Sequence, residues 1–519
     1  MNSGLTILLL LPLVGAIIAG LVPRQHCGTF AGIGTLVQIG FLIPIVIDFK
    51  PGTGLVGFIN ETWIPQLGIH YSLGLDGLNI FMVCLTVLAF SVATFAASRY
   101  EFDQPRMFYA MLALAEVGTL GAFMAQDLIL FVLFFDLLLV PFYFLIGMWG
   151  QTSELGDPRK ATATFMIYTL AGSLLMLVAA LALGVLTATQ SHVPISFEFS
   201  DLAANPVSHT AQCWIFVGFM LALLVKMPIP PLHGWMPITY KSTPLPVLIA
   251  LSAVVAKLGA YGFLRVVLPL LPGAVNSFQV LLLIFAVIGI IYGSVMAFSQ
   301  DDTRLVVGYS SIAQIGFVLL GIFVIDGKGA EGAILQMINH GVVTIGLFLV
   351  IAFLAERAGS EKLSDMGGLA KQAPLFATLF LIVALATLAM PGSANFVGET
   401  YILFGAFSTH FAWGVVASVG VVLAAVYMLR FFQRAMHNRG SAGDEETNKR
   451  ARELDGTELS LLLPAVLILL AMSIYPQFVV ERVEPNAQQA VRSATVSHTK
   501  GDVLSDANLA PFTTAQASK

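Results

Sequence analysis

The chain has 519 residues, 57% of them hydrophobic and only 11% charged, with a formal net charge of −5. A soluble domain carries roughly 25% charged residues, so this chain lacks the polar surface needed to stay dissolved. It has no basic block to meet nucleic acid, and its three scattered cysteines (Cys27, Cys84, Cys213) suit neither a disulfide framework nor a cysteine-ligated cluster.

Apolar runs of about 20 residues, long enough to cross a bilayer, recur along the chain. They predict fourteen spans, centred near residues 13, 38, 86, 116, 138, 174, 220, 256, 287, 314, 342, 383, 422 and 468. Backbone in lipid must satisfy its own hydrogen bonds, so each span is read as a helix. The first, Leu5 to Val22, has no basic segment before it and is followed at once by another span. It therefore reads as an anchor that stays, not a cleaved signal. Four connections are long: 49–72, 189–210 with the amphipathic stretch Ile195 to Ala203, the acidic–basic stretch 438–457, and a polar tail from about 480. Residues 52–57, GTGLVG, match the spacing of a dinucleotide-binding loop but have no strand before them and no helix of a βαβ unit after, so the match is chance.

Basic residues set the expected orientation. Arg24, Arg99, Arg106, Arg159, Lys160, Lys241, Arg304, Arg357, Lys362, Lys371, Arg430, Arg434, Arg439, Lys449, Arg450 and Arg452 fall in odd-numbered connections, and only Lys50 and Lys328 in even-numbered ones. Odd connections are expected to face the cytoplasm, with both termini on the other side.

Three further cations lie in the spans. Arg265 is near a span end and is expected to snorkel. Lys226, in LALLVKMPIPP, and Lys257, in SAVVAKLGAYG, lie deep in apolar runs. A charge at mid-membrane costs about 2.5–3.5 kcal/mol on insertion scales, so each is expected to be paired or to line a hydrated path; bonding to helix carbonyls is the structural alternative. Asp136, in LILFVLFFDLLLVPFYFL, and Glu399, after PGSANFVG, are acids at similar depth, and Glu116 is a third that could simply face a polar crevice. Moving one proton switches the attraction within a buried carboxylate–lysine pair on or off. His340, in ILQMINHGVVTIGL, is the only mid-helix histidine. A relay is preferred over a hydrogen-bonded core residue, because imidazole suits proton hopping. His233 could be part of a gate or of a loop. The seventh span, KMPIPPLHGWMP, and the twelfth, AMPGSANFVGE, are broken by proline and glycine beside Lys226 and Glu399. Breaks five helices apart point to an inverted-repeat transporter, since an odd repeat inverts topology.

In order, LGLDGLNIF, DLILFVLFFDLLLVPFYFLIGMWG, KMPIPPLHGWMP, AKLGAYGFLR, RLVVGYSSIAQIGFVLLGI, MINHGVVTIGLFL and PGSANFVGE resemble the antiporter-like membrane subunits of bacterial respiratory complex I, over about residues 73–410. Glutamate in FVGE, where the L- and N-type subunits resemble one another in having lysine, fits the M-type branch. The resemblance implies an all-α polytopic membrane protein of about fourteen transmembrane helices, with two inverted five-helix repeats (helices 4–8 and 9–13) and broken helices 7 and 12. It implies an N-terminal three-helix segment 1–105, an antiporter-like core 106–412 whose last helix extends to about 436, and C-terminal helices and tail 413–519. Asp136 becomes the acid that pairs with Lys226, Lys257 the central lysine, His340 part of a hydrophilic axis, and Glu399 the terminal protonatable group.

Three residues depart from the family pattern. Asp136 stands where glutamate is usual and is one methylene shorter, so its contact with Lys226 needs water or a small helix shift. Gln314 replaces a histidine and Asn395 a glycine. The implied function is a non-redox, proton-translocating subunit of NADH:quinone oxidoreductase in the bacterial plasma (inner) membrane. It would bind no cofactor itself; NADH, FMN, iron–sulfur clusters and quinone belong to partner subunits, and L- and N-type subunits are its neighbours. The alternatives are a subunit of a cation/proton antiporter or membrane-bound hydrogenase complex, a quinone- or haem-binding redox enzyme, and a free-standing transporter.

Overall fold

The computed structural model describes residues 4–52, 54–152, 156–437 and 452–499. Every predicted span centre falls within a helical span, those at 138 and 256 on a turn between two helical pieces of the fifth and eighth spans. Thirteen helices among the described residues are long and apolar enough to cross a membrane. In order they are Gly4–Leu21, Arg24–Asp48, Ile80–Ala97, Pro105–Met124, Leu128–Gly147, Pro158–Ser191, His209–Lys226, Leu245–Leu270, Pro272–Ser299, Thr303–Phe323, Gly327–Ala358, Phe411–Met436 and Gly456–Ile474. The twelfth span lies before the last two and is made of two pieces, Pro374–Thr387 and Ala394–Thr409.

Local chemistry explains where these helices start. Asp127, Asp157, Asp302, Asp326 and Asp455 each accept a first-turn N–H, satisfying donors that a helix start leaves orphaned. Asp455 and Glu458 form a reciprocal capping box. The Glu458 N–H, helped by Arg99 and Arg452, holds the Asp455 carboxyl below the usual carboxylate range.

The spans are not equivalent in burial. The most apolar stretches of the eighth, tenth and eleventh are wholly enclosed by protein, whereas those of the first, second and fourteenth are 33%, 22% and 33% buried. Lipid is as apolar as leucine, so apolar content alone does not draw a helix inward. The enclosed spans carry Lys257, Gln314, Gln336, Asn339 and His340, which lipid rejects.

Even-numbered connections gather on one face of the bundle. The connection 49–72, expected as a loop, folds into an antiparallel hairpin of β1 (Val56–Ile64) and β2 (Ile69–Leu75). The hairpin sits over the start of the fifth span, where the Gln126 N–H donates to the Ser72 carbonyl at 2.9 Å and the His70 N–H to Asp127 at 3.1 Å. Burial raises the Asp127 carboxyl above its ordinary range, against three backbone donors and His70. The tail from about 480 is helical as far as Thr499, and residues 500–519 lie outside the described residues. A helix, Gln477–Thr499, buries Val479, Val480, Val483, Ala487, Val491 and Ala494 along one stripe. On this hairpin face Asn486 accepts the Gly77 N–H at 3.1 Å and Glu484 meets Lys328 at 3.6 Å. Odd connections form the opposite face, joined by Trp149 to Asp103, Arg304 to Glu361, and Arg357 to Glu458. Of the basic residues counted there, Arg439, Lys449 and Arg450 lie outside the described residues.

Arg265 does not snorkel. It is 2% exposed and forms a 2.6 Å ion pair with the equally buried Asp76, and it also bonds the Tyr261 hydroxyl. The partner comes from the LGLDGLNIF turn, 189 residues away, which no local reading of the eighth span could supply.

Candidate functional site

The seventh span ends at Lys226, and helix resumes only at Met236–Ser242. Prolines 228, 230 and 231 supply no N–H there, so carbonyls of the last turn lose their partners. The Trp235 indole returns across the break to donate to the Val225 carbonyl at 2.9 Å. Lys226 is therefore held at a helix C-terminus, 4% exposed, with Nζ 4.4 Å from the centroid of the Phe135 ring. The next residue, Asp136, lies at a kink between Leu128–Leu137 and Leu139–Gly147 in the fifth span. Lys226 and Asp136 are close enough to act on each other electrostatically, but among the described residues no direct ion pair joins them. Asp136 Oδ1 is buried without a hydrogen-bond partner, and Ser173 of the sixth span lies alongside the carboxyl.

Lys257 is 2% exposed in the middle of the wholly enclosed eighth span. Two wide π-helical turns, Leu251–Val255 and Phe263–Val267, flank it. A π turn leaves a backbone carbonyl out of register. Lys257 Nζ donates to one such carbonyl, that of Ser252, at 2.7 Å. This is the carbonyl bond that the structural reading of a buried lysine expects. Two residues on, a Cβ at Gly259 would lie 2.5 Å from the Leu223 carbonyl, so glycine lets the eighth span press against the turn that carries Lys226.

His340 lies on the eleventh span, within electrostatic reach of Lys257. Its Nε2 is 3.3 Å from both Ser311 Oγ and Thr344 Oγ1, while Nδ1 is buried without a partner. Gln336, Asn339, His340 and Thr344 recur at helical spacing and form one polar stripe. The stripe leads to Glu399, 2% exposed on the second half of the twelfth span. Gln336 donates to Glu399 Oε1 at 3.4 Å and to the Gln314 carbonyl oxygen. Tyr427 of the thirteenth span adjoins both Gln314 and Glu399. Asn339 donates to the Ala394 carbonyl at 2.6 Å, and both side-chain polar atoms of the fully buried Asn395 lack a protein partner, as does Glu399 Oε2. Buried polar atoms without protein partners are where ordered water binds.

Asp136, Lys226, Lys257, His340 and Glu399 thus lie in order along the bundle interior. Reading charges alone missed Gln336, Asn339, Ser311, Thr344 and Tyr427; the polar spacing along the eleventh span was the available signal. Glu116 lies off this line. It lines a small crevice with Thr35 and Tyr109, next to Gln38. His233, in the seventh-span break, meets the Tyr292 hydroxyl at 3.1 Å. Among the described residues no group of three His, Cys, Asp or Glu side chains is placed to hold a metal ion.

On the face opposite the hairpin, a cavity of about 560 Å³ is lined by Gln151, Lys241, Asp301, Asp302, Glu361 and Lys362 among others. Lys241 is 7% exposed and 3.5 Å from Asp302. Beside it, the buried hydroxyls of Thr239 and Ser242 have no acceptor or donor, and Tyr240 adjoins Ser252, whose carbonyl holds Lys257.

Comparison with known proteins gives the arrangement a context. The family model described as NADH:quinone oxidoreductase/Mrp antiporter, TM, matches residues 125–424. NADH-quinone oxidoreductase subunit M of Mycobacterium tuberculosis is 33% identical over 530 residues, covering 94% of each chain. Subunit M of Escherichia coli K12 is 38% identical over 419 residues, covering 80% of this chain and 81% of its own. A chain of respiratory complex I from Thermus thermophilus superposes with a TM-score of 0.85 at 29% identity, covering 94% of this chain and 99% of that one. A chain of the Mrp complex from Dietzia sp. shares the fold, with a TM-score of 0.81 at 20% identity over 96% of this chain and 99% of its own.

Proposed function

The chain belongs to the NADH:quinone oxidoreductase/Mrp antiporter family of membrane proteins, and on that premise we propose how its interior moves protons. It is a proton-translocating membrane subunit of NADH:quinone oxidoreductase, complex I. The chain carries no electrons itself. NADH, FMN, iron–sulfur clusters and quinone belong to partner subunits, and L- and N-type antiporter-like subunits flank it. It lies in a bacterial plasma membrane with its odd connections in the cytoplasm, which the gathering of basic residues opposite the hairpin supports. Spans 4–8 and 9–13 form two inverted repeats. Their broken members, the seventh and twelfth, place Lys226 and Glu399 beside freed backbone.

The observation that carries the mechanism is the ordered line of buried polar side chains, with unpartnered atoms along it, through spans otherwise packed with apolar groups. Quinone reduction in partner subunits changes the field at Asp136, drawing it toward Lys226 or releasing it. A closed pair favours the charged lysine, and an open one favours release of its proton. Lys257 receives a proton from the cytoplasmic cavity by way of Lys241, Tyr240 and Ser252, and passes it through water to His340. The imidazole hands it along the Gln336–Asn339 stripe to Glu399. Each transfer moves one proton between a nitrogen or oxygen and a bridging water, and no covalent bond to carbon changes.

Lys257→Met tests the line at its centre, because methionine keeps the stem and removes the proton carrier. Assembled complex in inverted vesicles should translocate fewer protons per electron. An unchanged ratio would exclude Lys257 from the route.

A further inference from the structure

A groove of about 390 Å³ runs along the hairpin-side half of the bundle, between the second, third, eleventh and fourteenth spans and the helix Gln477–Thr499. Ile43, Cys84, Ile338, Val342, Met472 and Phe478 are among its lining residues, and every lining side chain is apolar or cysteine. Such a groove offers water no partners. Ile43 and Ile47, on its lining, are 51% and 69% exposed, so it opens sideways along the second span, one of the spans least covered by protein. On the reading of the chain as a membrane subunit, that opening lies at bilayer depth. Along the second span the lining runs from Ile39 to Ile47. Eight residues at helical rise make about 12 Å, close to the thickness of about 15 Å of one hydrocarbon leaflet.

A cation stands at the end of the groove nearest the membrane surface. Arg482 lies with its guanidinium carbon 3.9 Å from the centroid of the Phe478 ring, which itself lines the groove. Nη1 donates to the Phe478 carbonyl at 2.9 Å, and Nε is buried without a partner. A half-exposed guanidinium beside an acyl-sized groove matches a phosphodiester at headgroup level. We propose that this groove holds one phospholipid of the hairpin-side leaflet, with an acyl chain between the second and eleventh spans and its phosphate on Arg482. The bound chain braces a functional contact. A Cβ at Gly341, next to His340, would lie 2.3 Å from Leu85 Cδ2, and Leu85 lines the groove. The third and eleventh spans thus meet at the groove floor, one residue from the imidazole.

The test uses intact complex reconstituted in vesicles containing phosphatidylglycerol with a photoreactive diazirine in its acyl chain. Cross-links mapped by mass spectrometry should concentrate on the stretches holding Cys84, Ile338 and Met472. Ile43→Trp fills the groove from an exposed position and should lower that labelling at least fivefold without loss of assembly. Arg482→Gln should lower it severalfold, and a phosphate-free diacylglycerol with the same chain should label the wild-type groove severalfold less than the phospholipid. Labelling spread evenly over the lipid-facing spans overturns the proposal. So does loss of a neighbouring membrane subunit from the Ile43→Trp complex with labelling unchanged, which makes the groove a seat for protein.

Discussion

Two acids sit beside broken spans, and their surroundings differ. Asp136 faces a lysine, with the Phe135 ring and the Ser173 hydroxyl beside the pair. Glu399 faces two glutamines and a tyrosine, and among the described residues no cation pairs with it. In the first region charge answers charge, so moving one group changes the energy of the other steeply in low dielectric. In the second, neutral dipoles solvate the carboxyl whichever proton state it holds. The proposed mechanism accordingly gives the first region the response to an electrical signal, and the second the acceptance and passing on of a proton. Sequence similarity between two breaks does not make them equivalent sites.

The largest effect expected from this contrast is at Lys226. Lys226→Ala leaves the half-buried Asp136 with no opposing charge nearby to answer its own. Proton pumping through the subunit should fall to a small fraction of wild type. Lys226→Arg keeps the charge but holds its proton too tightly to release it, so it should impair pumping as well. Wild-type proton-to-electron ratios for Lys226→Arg in inverted vesicles would show that this region works by charge alone.

Glu399 should show a smaller but distinct defect. Glutamine keeps the shape and the Gln336 contact yet cannot titrate, so Glu399→Gln should pump poorly in an assembled complex of normal subunit content. Lysine restores a titratable group where the amides can still solvate it, and Glu399→Lys should keep partial activity. Normal pumping by Glu399→Gln would reduce the second region to a structural helix break.

The sequence made the first region more legible than the second, and energetics explains why. An unpaired ion in a membrane is so costly that Lys226, Lys257 and Asp136 stand out from their apolar surroundings. Amides cost less and draw no notice singly. Gln336 and Asn339 become visible only as a stripe, and Tyr427 only through contacts made across the bundle. The fold divides in the same way. Apolar runs and aspartate caps place the spans locally, whereas the Arg265–Asp76 pair depends on a partner far along the chain. The hairpin carried an alternating signal at Ile69, Tyr71, Leu73 and Leu75 that a search for long apolar runs passes over. The helix Gln477–Thr499 was hidden by its polar half, its buried face showing only as spaced valines and alanines.

The smallest predicted effect tests whether the amides are passive. Gln314 is fully buried, and its carbonyl oxygen accepts a hydrogen bond from Gln336, while Gln336 also reaches Glu399. Histidine at 314 can accept that same hydrogen bond through a ring nitrogen, so Gln314→His preserves the connection from stripe to acid. What it adds is a basic group beside Glu399, where the described neighbours are two amides and a phenol. If the amides only solvate, the pumping rate at neutral pH should change by less than about threefold, because the route and its end point are unaltered. The pH profile should change more. A protonated imidazole beside Glu399 gives the second region the charge-against-charge character of the first, and imidazole gains its proton toward mildly acid pH. Pumping by Gln314→His should therefore acquire an added inflection on the acid side that the wild type lacks, and Glu399→Gln in the same background should abolish it. An inflection that survives Glu399→Gln would mean that residue 314 communicates with His340 and not with Glu399, and that the stripe ends one helical turn earlier than the geometry implies.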